Sequence, residues 1–80
     1  MYHIIINPAS RSGRGAKIWS EQIEPALKKS DAVYQTYFSK KAGEVKHLAA
    51  QITAEYKDDP DLKLIVLGGD GTVNEALQGI

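Results

Sequence analysis

Three short runs of apolar, β-branched and aromatic residues punctuate the chain: Tyr2 to Ile6, Ala32 to Phe38 and Leu62 to Leu67. Turn-forming residues bound each run, so each reads as a β-strand. The first and third are nearly all apolar, the pattern of strands covered on both faces in a parallel sheet rather than half-solvated in an antiparallel one. Between the strands, Ala16, Trp19, Ile23 and Leu27 recur at helical spacing, as do Val45, Leu48, Ala49, Ile52 and Tyr56. Pro25 falls inside the first of these helices and predicts a kink or restart there, because proline removes a hydrogen bond and collides with the preceding turn. After the third strand, Val73, Ala76, Leu77 and Ile80 mark the buried face of a further helix. Thr72 with Glu75 three residues on matches a capping box at its start.

This alternation predicts an α/β fold, a three-layer doubly wound parallel sheet whose ligands bind beyond the carboxyl ends of the strands. An apolar periodic segment is still running at Ile80 with no terminating Gly or Pro, so residues 1–80 are expected to be the N-terminal portion of a larger domain.

Composition narrows the function classes without choosing one. The 80 residues are 42% apolar and 25% charged, an ordinary globular mixture. Ten basic and ten acidic side chains leave no formal net charge, so no bulk field draws the chain to nucleic acid. The absence of cysteine removes disulfides and thiolate metal sites and fits a reducing compartment. No apolar run approaches the length of about 20 residues that a transmembrane helix requires.

Candidate chemistry lies in the three segments that follow the strands. Gly68-Gly69-Asp70-Gly71-Thr72 joins an apolar strand to a helix, and its glycines allow a phosphate to lie on the backbone at the positive end of that helix. Asp70 sets the segment apart from a bland tight turn. A carboxylate among phosphate-directed amides is electrostatically awkward unless a divalent cation bridges it or it takes up a proton. Asn7-Pro8-Ala9-Ser10-Arg11-Ser12-Gly13 follows the first strand with compact polar groups, and alone would read as an Asx or Ser turn. Arg11, Arg14, Lys17, Lys40 and Lys41, five of the ten basic residues, fall in or beside the loops after strands one and two, while Asp58 to Asp61 make the opposite edge acidic. Gathered on one rim, that charge focuses a polyanion such as a nucleotide triphosphate.

Two common phosphate motifs are absent. The chain has no G-x-x-x-x-G-K-[ST], and the dinucleotide fingerprint fails because Ile18 stands where the last small residue belongs after Gly13-Arg14-Gly15-Ala16-Lys17. His3 and His47 have no partners at metal-ligand spacing, so both read as structural, and no metal ligand is assigned.

Asn7-Pro8-Ala9-Ser10 after strand one, Ser39 after strand two and Gly68-Gly69-Asp70-Gly71-Thr72-Val73-Asn74-Glu75 after strand three resemble the diacylglycerol kinase catalytic domain family, in the same order along the whole chain. The Gly68 to Thr72 motif alone is shared with NAD kinases and, more loosely, phosphofructokinases. Asn74-Glu75 and the Asn7-Pro8 loop are similar to the lipid kinases. The resemblance implies an NAD kinase/phosphofructokinase-like fold and an enzyme that transfers the γ-phosphoryl group of ATP, with Mg2+, to a lipid hydroxyl such as that of diacylglycerol. It implies ATP contacts at Asn7, Pro8, Ala9, Ser10, Arg11, Ser39, Gly68, Gly69, Asp70, Gly71, Thr72, Val73 and Asn74, with Asp70 the catalytic candidate.

The family often has Gly directly after its Asn-Pro-x-Ser, where this chain has Arg11 and Ser12, and usually has Thr where this chain has Ser39. By the same resemblance, the substrate-side domain, the general base and the structural Mg2+ ligands lie beyond Ile80, so residues 1–80 alone are expected to be inactive. The location expected is cytoplasmic, peripheral at the inner membrane face where the lipid substrate lies, with homodimerisation left open. Two readings stand beside this one: an NAD kinase-like phosphotransferase and a non-catalytic nucleotide-binding module.

Overall fold

The computed structural model describes residues 1–8, 13–41 and 43–80. Strands β1 (Tyr2–Ile6), β2 (Tyr34–Phe38) and β3 (Lys63–Leu67) form a parallel sheet in the order β2-β1-β3. Helices α1 (Arg14–Ile18) and α2 (Glu24–Lys29) connect β1 to β2, α3 (Glu44–Glu55) connects β2 to β3, and α4 (Asp70–Gly79) follows β3.

Alternation along β1 divides the core in two. Ile4 and Ile6 point to one face, against Trp19 and Leu27 of the first connection, with Tyr34, Ile65 and Leu67 alongside. Ile5 points to the other face, against Val45, Ala49 and Ile52 of α3 and Ala76 of α4. Helices thus cover both faces of the three-stranded sheet, as the apolar β1 sequence requires. Ile4, Ile5 and Ile6 are each 0% exposed. Burying a side chain of this size contributes about 1.5–3 kcal/mol, which makes β1 the spine of the fold.

β3 departs from the expectation of full burial, since Leu64 to Leu67 are only half-buried. It is an edge strand of this sheet, so only one of its edges is paired. The second strand is also shorter than its apolar run. Ala32 instead closes the end of α2, its N–H donating to the Leu27 carbonyl at 3.0 Å.

Pro25 acts as its residue type predicts. Between α1 and α2 the chain passes through a π-helical segment, Trp19–Ile23, and Pro25 occupies the first turn of the α-helix that resumes after it. Trp19 packs edge-on against Tyr34 with ring centroids 5.5 Å apart, a core contact.

His3 is fully buried, donating or accepting through Nδ1 to the Tyr37 hydroxyl at 2.8 Å and packing against the Tyr56 ring at 4.3 Å. Its Nε2 has no partner among the described residues. Burial lowers the His3 pKa from its ordinary 6.5, the N-terminal charge adds to that, and Glu55 and Asp59 oppose it. The neutral ring is therefore the folded form. Because the unfolded chain takes up a proton that the folded chain refuses, the His3 contribution should leave stability unchanged above about pH 6.5 and lower it as pH drops below that. Urea unfolding midpoints of the parent and His3→Phe, measured between pH 5 and 8, check this. The parent should lose midpoint on the acid side and the variant should lose less.

Candidate active site

Strand register sets the site. Ile6 lies opposite Phe38 on one side and Leu67 on the other, so all three strands end level. The ladder runs one step further: the Ser39 N–H donates to the Ile6 carbonyl and the Asn7 N–H to the Leu67 carbonyl, each at 2.9 Å. Asn7, Ser39 and Gly68 therefore stand side by side on the carboxyl edge. The chain leaving β1 enters α1 on one face of the sheet, and the chain leaving β3 enters α4 on the other. The crevice between those diverging exits is where ligands bind in open α/β sheets.

A side-chain bond spans that crevice. The Asn7 amide Nδ2 donates to the Thr72 Oγ1 at 3.1 Å, joining the loop after β1 to the first turn of α4. A neutral bond of this kind contributes about 1 kcal/mol net, and its fixed direction locates both loops. Thr72 is 6% exposed, so it supports the Gly68 loop from beneath. That arrangement requires glycine at position 68, because a Cβ there would lie 2.5 Å from the Thr72 Cβ and Oγ1.

The capping box expected at Thr72 and Glu75 does not form. α4 begins three residues earlier, with Gly69 as its N-cap and Asp70 as its first residue, and the Thr72 and Val73 N–H groups both donate to the Gly69 carbonyl. The glycine motif is itself the first helical turn. Its glycines do not use left-handed torsions either: among the described residues the positive-φ glycines are Gly13 and Gly43, the N-caps of α1 and α3. Helix geometry leaves the Asp70 and Gly71 N–H groups without intrahelical acceptors. Both residues are exposed, and a Cβ built on Gly71 meets nothing within 4 Å. That open volume, bordered by helix-end amides, fits an anion such as a phosphate.

Asp70 occupies the first helical position, where the helix dipole favours an acidic side chain without any ligand. Among the described residues, no group of three or more His, Asp or Glu side chains is placed to hold a metal ion.

Of the other predicted contacts, Pro8 is half-buried beside Asn7, Ser39 is buried at 6% exposure, and Val73 and Asn74 are exposed on α4. Ala9, Ser10 and Arg11 lie outside the described residues. Lys40 and Lys41 are exposed in the loop after β2, and Arg14 opens α1. Asp58 to Asp61 turn at the opposite end of the sheet, with the Asp61 N–H bonded to the Asp59 carboxylate at 2.9 Å. The apolar series on α4 is corrected: Ala76 is buried, but Val73, Leu77 and Ile80 are 43%, 64% and 67% exposed. α4 packs on α3 through its Ala76 and Gly79 side, which turns the larger residues outward.

The carboxyl edge of this parallel α/β sheet thus carries a glycine-Asp loop that opens a helix. The diacylglycerol kinase catalytic domain matches residues 1–80, and the chain belongs to that family. Its relatives include a sphingoid long-chain bases kinase of Arabidopsis thaliana, 32% identical over 96% of this chain and 10% of the relative. A protein named as a lipid kinase in Streptococcus pneumoniae is 36% identical over 96% of this chain and 24% of its own length. Another so named in Bacillus subtilis, YtlR, is 33% identical over 99% and 25%. The chain thus spans a quarter or less of these relatives. No solved structure matches it. Among the described residues, no helix is long and apolar enough to cross a membrane.

Proposed function

We propose that residues 1–80 form the nucleotide-binding front of a doubly wound, NAD kinase-like domain in an ATP-dependent lipid kinase, with diacylglycerol as acceptor. The observation that carries this is the convergence of Asn7, Ser39 and Gly68 to Thr72 on one carboxyl edge, locked by the Asn7–Thr72 bond. In this reading the Asp70 and Gly71 amides and the α4 dipole hold phosphate oxygens, and Lys40, Lys41 and Arg14 concentrate the polyanion at the rim. Pro8, Ala9, Ser10, Arg11, Val73 and Asn74 complete the contacts. Asp70 orients the reacting phosphate or engages the acceptor hydroxyl, and bound Mg2+ supplies charge neutralisation on the phosphates. Phosphoryl transfer depends on positioning and charge stabilisation, which are the properties this edge is built to supply.

The names of the relatives point to a lipid acceptor, and the enzyme would meet it peripherally at the cytoplasmic membrane face. The test is acceptor competition with the intact protein carrying this segment. Labelled γ-phosphate should pass from ATP to a short-chain diacylglycerol and not to NAD. Transfer to NAD, or nucleotide binding with no transfer to any lipid hydroxyl, contradicts the proposal.

A further inference from the structure

α3 starts without a cap of its own. Its N-cap is Gly43, held at φ 85° with no side chain to accept from the first-turn amides. Such a helix end leaves donors unmatched unless something outside the helix supplies an acceptor. Glu75, half-buried on α4, does so: its Oε1 accepts from the Lys46 N–H at 3.3 Å, across 29 residues of sequence. The carboxylate also lies at the positive end of the α3 dipole. One turn further along α4, Gly79 packs directly on the same residue. A Cβ at Gly79 would collide with the Lys46 carbonyl oxygen and lie 3.1 Å from the Ala50 nitrogen. The motif helix is thus fastened to the first turn of α3 at two points.

That first turn holds the loop after β2. The Glu44 Oε1 accepts from the Lys40 N–H at 2.7 Å, and the Glu44 N–H donates to the Lys41 carbonyl at 3.3 Å. A continuous path therefore runs from the Gly68 to Thr72 turn through α4, Glu75 and the start of α3 to Ser39 and Lys40. Glu75 stands in the middle of that path.

We infer that Glu75 is a positioning residue: by capping α3 from α4, it fixes the spacing between the loop after β2 and the glycine-Asp turn, and so the fit of the nucleotide between them. This inference rests on the nucleotide site proposed above. It assigns Glu75 a role distinct from contact with nucleotide or Mg2+.

The experiment compares Glu75→Ala and Glu75→Gln in the intact protein by amide hydrogen exchange and by ATP kinetics. Losing a cap costs about 1 kcal/mol, so in Glu75→Ala the Lys46 amide should exchange about fivefold faster. KM for ATP should rise about fivefold with kcat nearly unchanged, since the two loops lose their spacing and no reacting group is removed. Gln keeps an oxygen at the same place, so Glu75→Gln should return both values to within about twofold of the parent. Unchanged Lys46 exchange in Glu75→Ala, with normal nucleotide binding by the parent, overturns the capping role alone. A Glu75→Gln variant as impaired in ATP use as Glu75→Ala overturns it too, because the charge would then be acting on nucleotide or metal. A parent that binds no nucleotide overturns the site itself, and the positioning role with it.

Discussion

Asp70→Asn is expected to lower the Mg2+-dependent transfer rate by several orders of magnitude while leaving ATP affinity measured without metal equal to, or better than, that of the parent. Substitution keeps the shape of the side chain and removes its charge. Beside a triphosphate that charge is repulsive in the ground state, so its loss does not weaken metal-free binding, whereas a charge that acts during phosphoryl transfer is missed in kcat. The structure also supplies a purely local alternative, because Asp70 begins α4 and an acid at that position is favoured by the helix dipole. The alternative has a different magnitude. Losing a dipole contact at an exposed helix start costs about 0.3–1 kcal/mol of stability and nothing in rate. Calorimetric ATP binding with and without Mg2+, together with turnover on short-chain diacylglycerol, separates the two. Near-parental turnover in Asp70→Asn would leave Asp70 a helix-start residue.

Gly71→Val should abolish ATP use in a protein that remains folded. A Cβ at Gly71 meets no protein atom within 4 Å, and its φ is not in the left-handed region, so the chain accepts a side chain there. Valine also has the better helix propensity, by a few tenths of a kcal/mol. The branched side chain would instead fill the space assigned to phosphate, with a loss of nucleotide affinity of at least about a hundredfold, equivalent to about 2.7 kcal/mol. Gly68→Ala is the informative contrast: its Cβ would strike Thr72 and disturb the fold before any ligand arrives. Normal ATP affinity in folded Gly71→Val would contradict a phosphate lying on the backbone at Gly71.

Much of this architecture is legible in the residues because the decisive signals are local. The apolar run Tyr2 to Ile6 is β1 to the residue, and Pro25 marks where the first helix restarts. The placement of Asn7, Ser39 and Gly68 on one edge follows from strand order and parallel direction, which the β-α-β-α-β alternation already implies. The misreadings have a common origin in contacts distant along the chain. Thr72 and Glu75 have the spacing of a capping box, but Thr72 is taken by Asn7 and Glu75 by Lys46, partners 65 and 29 residues away. Hydrophobicity alone predicts the α4 stripe, whereas the helix packs by Ala76 and Gly79, and Gly79 allows a close approach to α3. Val73, Leu77 and Ile80 turn outward as a result.

Amide hydrogen exchange of the intact protein with and without Mg2+-ATP tests the central claim most directly. If the carboxyl edge is the nucleotide site, protection should appear together at Ser39, Lys40 and Gly69 to Thr72, and the Asp58 to Asp61 turn at the far end of the sheet should be unchanged. Protection confined to other residues, or none at saturating Mg2+-ATP, would contradict it.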